Sequence, residues 1–165
     1  MNPVDSLPVI AEISLGLVGF TAIVAVLRRP DGGLVGWELL PSLYLLGYSS
    51  ATLLLALVPS LLTAMGCELA ATWRIASAAM LLCSLVGFAY NPQRRARLTP
   101  GATTASRSLL VAIYVFASLN VVLQLANAAG MFGLPRFWPF LLGLFWYLVF
   151  CLTQFASLLF LRPSE

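Results

Sequence analysis

The chain has 165 residues, 61% of them apolar and 9% charged, with a formal net charge of +3 and no histidine. Soluble domains run near half apolar and a quarter charged, so a mean hydropathy of +0.96 excludes water as the main solvent, because a domain this small leaves much of its surface outside any core. The missing histidine removes the commonest general base, proton shuttle and metal ligand. Nine basic residues without aromatic interleaving also exclude a nucleic-acid interface, despite a pI near 9.0.

The composition therefore predicts an all-α fold, a polytopic transmembrane helical bundle in a lipid bilayer, forming a single transmembrane domain over residues 1–165. A helix needs roughly 20 apolar residues to cross the hydrocarbon layer, and five stretches reach that length. The first covers residues 8–27. The chain opens MNPVDSLPV, where only Asp5 is charged, and no A-x-A-like site comes after the apolar run. It is thus expected to stay in the mature protein rather than be cleaved as a signal peptide. RRPDGG from Arg28 ends it.

The second stretch, 37–65, begins beside Trp37 and Glu38 at the interface and is longer than a membrane requires, which predicts tilt or a kink at Pro59. Pro59 frees the carbonyl of Leu55, with Ser60 and Thr63 nearby. A tight turn at Gly66, Cys67 and Glu68 leads to the third stretch, 69–90. The connector NPQRRARLTPGATTASR from Asn91 separates it from the fourth, 108–130, and MFGLPR separates that from the fifth, 137–161. Aromatic residues gather in the fifth; Trp138 fits an outer belt, and Trp37 and Tyr90 an inner one. Trp146 and Tyr147 lie mid-span, near the depth of Asn120, where packing is their expected role.

Short Arg-rich loops stay on the cytoplasmic side. With the N-terminus outside and the C-terminus cytoplasmic, Arg28, Arg29, Arg94, Arg95, Arg97, Arg107 and Arg162 lie inside, and only Arg74 and Arg136 outside. The RRAR cluster would also meet anionic headgroups of the inner leaflet. Cys67, Cys83 and Cys151 show neither metal-ligand spacing nor a disulfide framework. No metal site, cofactor or catalytic residue is expected.

Ionisable groups at membrane depth are costly and mark candidate sites. Glu12 and Arg74 each fall about one turn inside the outer end of their helices, counting about 1.5 Å per residue. An intramembrane ion pair between them is therefore expected. On the fourth helix Asn120, Gln124 and Asn127 are spaced by four and then three, which puts them on one face as a polar seam. That seam is read first as hydrogen-bonded glue between helices and second as a ligand or proton site. Gln154, beside Thr153, is assigned a helix-helix hydrogen bond. Gly16, Gly19 and the S-S-A run from Ser49 permit close approach of helices without completing a GxxxG motif.

The segments AEISLGLVGF, WRIASA and LGLFWYLVFCLTQFASLLF resemble those of small uncharacterised bacterial membrane proteins, and the resemblance implies a bacterial inner-membrane location. A lone glutamate in the first helix also resembles small proton-coupled multidrug antiporters, although those are shorter four-helix dimers. The residues as a whole favour a small non-enzymatic accessory, sensory or scaffold protein with a homo-oligomeric or membrane-protein partner. The alternative is a small transporter or channel component that uses Glu12 and Arg74. Membrane-embedded hydrolytic or phosphotransfer chemistry lacks the residues it needs.

Overall fold

A computed structural model of the chain describes residues 6–27, 36–98, 104–131 and 136–160, with side chains at 6–23, 41–90, 111–131, 136–156 and 158. The protein is all-α over these residues: α1 (Ser6–Leu27), α2 (Gly36–Ala64), α3 (Leu69–Leu98), α4 (Thr104–Ala128) and α5 (Phe137–Phe160). All five contain a stretch long and apolar enough to cross a membrane.

The ends of the connector from Asn91 are helical. The structure carries α3 through Leu98 and starts α4 at Thr104, because Gln, Arg, Ala and Leu are good helix formers whether or not lipid surrounds them. Apolar length thus marks the span but not the end of the helix. The side chains of Asp5, Trp37, Glu38, Arg28, Arg29, Arg94, Arg95, Arg97, Arg107 and Arg162 lie outside the described residues.

Two helices end in the same way. Beyond α2, Gly66 adopts φ +79°, its N–H donates to the Thr63 carbonyl and the Cys67 N–H to that of Leu62. Beyond α4, Gly130 adopts φ +75°, and the N–H groups of Gly130 and Met131 donate to the carbonyls of Asn127 and Ala126. Both are Schellman caps, in which a left-handed glycine satisfies the last carbonyls of its helix.

The chain divides into two compact units, Met1–Leu57 with Leu144–Glu165, and Val58–Gly143. The cuts fall inside α2, beside Pro59, and inside α5, beside Gly143, so both helices contribute to both units. α2 runs through Pro59 as one helix, and the Thr63 hydroxyl donates to the Pro59 carbonyl at 2.8 Å.

In the first unit α1, α2 and α5 meet through aromatic rings. Tyr48 stands edge-on to Tyr147 at 5.3 Å and to Phe150 at 4.6 Å, and Phe20 edge-on to Phe155 at 4.8 Å. Such edge-to-face pairs contribute about 0.5–1.5 kcal/mol beyond their burial. Tyr147 therefore packs, as its mid-span position suggested. Leu45 and Cys151 are buried among Leu17, Tyr48 and Phe155. Most hydroxyls turn back on their own helix: Ser14 donates to the Ile10 carbonyl, Thr21 to Leu17, Thr52 to Tyr48 and Thr153 to Phe150. That is the cheapest way to satisfy a hydroxyl in lipid.

In the second unit α3 packs along α4, with Trp73, Ala76, Met80 and Phe140 buried. Its polarity is inverted relative to a water-soluble protein. Gln124 and Asn127 are 0% exposed, whereas Leu119 and Val122 on the same helix are 65% and 64% exposed. An apolar surrounding favours that arrangement.

Candidate functional site

The seam on α4 is built from its three amides outward. Asn127 lies in the last turn of α4, and its side chain forms a two-way pair with the backbone of Arg136. The Arg136 N–H donates to Oδ1 at 2.9 Å, and Nδ2 donates to the Arg136 carbonyl at 2.9 Å. Nδ2 also donates to the Ser77 hydroxyl on α3 at 2.8 Å. Arg136 immediately precedes α5, so Asn127 supplies an acceptor to the backbone where that helix begins, a place where N–H groups lack intrahelical partners.

One turn deeper, Gln124 Nε2 donates to the Pro139 carbonyl at 2.7 Å and to Asn120 Oδ1 at 3.1 Å. Asn120 Nδ2 in turn lies 3.4 Å from the Ser84 hydroxyl on α3. Ser77 and Ser84 are seven residues apart, and so are their partners Asn127 and Asn120, in reverse order. This is the match expected of two antiparallel helices in register. The amide orientations follow from the partners, because a carbonyl such as that of Pro139 only accepts. Gln124 Oε1 is the one buried side-chain oxygen or nitrogen without a hydrogen-bond partner among the described residues.

Gly143 makes this closeness achievable. A Cβ there would overlap the Met80 sulfur and stand 2.7 Å from Gln124 Nε2 and 2.8 Å from Asn120 Oδ1. α5 can therefore lie against the amides only with hydrogen at that position. Spacing alone revealed the face formed by Asn120, Gln124 and Asn127. It missed Ser77, Ser84 and Gly143, although the seven-residue interval of the serines and a glycine inside a Phe- and Leu-rich span were visible signals.

Glu12 is an exposed side chain of α1 in the first unit, and Arg74 an exposed side chain of α3 in the second. Arg74 reaches across Gly130, with Nη2 3.0 Å from the place a Cβ would occupy. A cation there meets the negative end of the α4 dipole. The ion pair expected between Glu12 and Arg74 would join the two units, each of which is described by itself. Gln154 is half-buried. Gly16 and Gly19 have no neighbour within 4 Å of an added Cβ, while Ser49 is buried and bonded to the Leu45 carbonyl of its own helix.

Cys67, Cys83 and Cys151 are free thiols. Among the described residues no three His, Cys, Asp or Glu side chains gather as a metal site would require. Chemically the seam can tie three helix segments together and offer one buried acceptor oxygen. Comparison with protein-family models, with curated proteins and with solved structures returned no match.

Proposed function

We propose that this multi-pass protein lies in a bacterial inner membrane, N-terminus outside and C-terminus cytoplasmic, and acts as a non-enzymatic accessory, sensory or scaffold component. The observation that carries the reading is the use made of the membrane-depth amides. Asn120, Gln124 and Asn127 are buried and bonded to α3 and α5, so these polar groups hold helices together rather than await a substrate. Among the described residues, large apolar side chains such as Leu119 and Val122 of α4 are exposed, which suits contact with other helices. Native mass spectrometry of protein extracted gently from its own membrane tests this. Reproducible partner subunits or self-assembly support the reading, and a chain always recovered alone as a monomer counts against it.

A transporter or channel component is the competing reading, favoured by the exposure of Glu12 and Arg74 at membrane depth. It requires cation or amine flux across proteoliposomes that disappears in Glu12→Gln. Absence of flux in the unaltered protein removes it.

A further inference from the structure

We infer that Arg74 and Arg136 together hold the phosphate of a membrane phospholipid, at the end of the second unit where α4 stops and α5 begins. The inference needs only that the chain lies in a bilayer, so it stands apart from the accessory or scaffold reading and from the choice of which end faces outward.

The observations behind it lie within Val58–Gly143. Trp73 on α3 packs against Phe137 and Phe140 of α5, with ring centroids 6.3 and 6.0 Å apart. That contact draws the chain neighbours of Trp73 and Phe137, which are Arg74 and Arg136, to one end of the unit. Asn127 binds the same two segments, because its Nδ2 donates both to Ser77, about one turn along α3 from Arg74, and to the Arg136 carbonyl. Arg74 and Gly130 continue the antiparallel register of Ser77 with Asn127, and Arg74 Nη2 lies 3.0 Å from the place a Gly130 Cβ would occupy. The Arg74 guanidinium is therefore level with the end of α4.

This end is electropositive. Glu68 is the only acidic residue between residues 58 and 143. The first turn of α5 contains none, and its opening N–H groups add the positive end of a helix dipole. Among the described residues neither guanidinium has a hydrogen bond or ion pair. Both arginines are exposed, so no side chain of their own unit covers them.

The complement is an anion, and two guanidinium forks match the oxygens of a phosphate. Depth selects a phospholipid as its source. The apolar span of α4 ends at Ala128 and that of α5 begins at Phe137, so the site lies at the edge of the hydrocarbon layer, beside the headgroups. Trp138, next to Arg136, is 37% exposed, and an indole suits that layer. Four and eight residues on from Arg74, Ala78 and Leu82 share its helix face and are exposed. They offer apolar surface to the acyl chains of the same molecule.

The test is native mass spectrometry of the full-length chain, purified in detergent, stripped of lipid and titrated with dioleoyl phosphatidylglycerol. Dioleoylglycerol, with the same acyl chains and no phosphate, is the comparison. The unaltered chain should bind one phosphatidylglycerol about tenfold more tightly than dioleoylglycerol, and Arg74→Gln and Arg136→Gln should each weaken it about tenfold. Arg74→Lys and Arg136→Lys keep the charge and lose the fork, so a smaller loss is expected. Arg94→Gln with Arg95→Gln, at the other end of α3, should leave this lipid in place.

Arg136→Gln guards against misfolding, because Arg136 bonds to Asn127 through backbone atoms alone. Unchanged binding in either glutamine variant, or a loss that follows Arg94 and Arg95 instead, overturns the two-armed site. Equal binding of the two lipids overturns the phosphate as its ligand. Inorganic phosphate that binds as tightly as phosphatidylglycerol overturns the lipid as the source.

Discussion

Gly143→Ala adds one methyl where three side chains already meet. Its Cβ would overlap the Met80 sulfur and press between Gln124 Nε2 and Asn120 Oδ1 at 2.7 and 2.8 Å, while those two atoms are themselves hydrogen-bonded at 3.1 Å. Met80 and Gln124 are 0% exposed, so neither can swing away without disturbing its packing. Overpacking of a filled interior costs about 1–3 kcal/mol, and side-chain hydrogen bonds between transmembrane helices contribute about 0.6 kcal/mol each. A gain of up to about 1 kcal/mol for replacing glycine inside a helix opposes these. The net expectation is a loss of about 2 kcal/mol.

Reversible unfolding in mixed micelles, followed by tryptophan fluorescence, measures it. Gly16→Ala serves as the control, because a Cβ at Gly16 meets nothing within 4 Å; it should be neutral or slightly stabilising. Met80→Ala relieves the sulfur overlap but not the pressure on the amides. The pair Met80→Ala and Gly143→Ala should therefore be non-additive by about 1 kcal/mol, in the sense of partial rescue. Gly143→Ala within about 0.5 kcal/mol of the Gly16→Ala control, or strict additivity with Met80→Ala, would refute the close-packing argument.

Asn127→Leu should destabilise by about 1–3 kcal/mol in the same titration, because it strands the Arg136 N–H. Gln124→Leu should cost clearly less, since it removes an unpaired oxygen and the Pro139 carbonyl keeps its place in the α5 hydrogen-bond ladder; the reverse ranking would show that the seam is misassigned. Gly130→Ala should lower stability by about 1–2 kcal/mol, from the left-handed backbone and the approach of Arg74, and a neutral result in thermal unfolding would contradict the cap. In intact cells a membrane-impermeant maleimide should label Cys67, in the turn between α2 and α3, and leave Cys83 and Cys151 untouched. Labelling of Cys67 only after the membrane is opened would reverse the proposed orientation.

Parts of the site were legible because helical spacing is rigid. Intervals of four and three bring Asn120, Gln124 and Asn127 onto one face whatever surrounds α4. What that face meets was signalled only by the seven-residue interval of Ser77 and Ser84 and by Gly143 in its Phe- and Leu-rich span. Serine occurs all along these helices and usually bonds to its own backbone, as Ser14 and Ser118 do, so nothing in the residue type marked Ser77 and Ser84 as partners. The apolar span of α3, Leu69–Tyr90, was legible, but the continuation of the helix to Leu98 was not. Charge marks where a chain leaves lipid, and helix propensity continued the helix through residues that hydropathy assigns to a connector.

Composition and apolar run length determined by themselves that lipid is the solvent and that five helices are long enough to cross it, because each helix must satisfy its own backbone there. The length of each apolar run also followed from counting residues. Rotation and pairing did not, because in lipid both the buried and the outer side of a helix are apolar and the usual amphipathic signal is lost. Only the tertiary structure decided that α3, α4 and the start of α5 close around Gln124 and that Gly143 is the notch permitting it. Close packing and short hydrogen bonds select those contacts, and both depend on atoms distant in the chain.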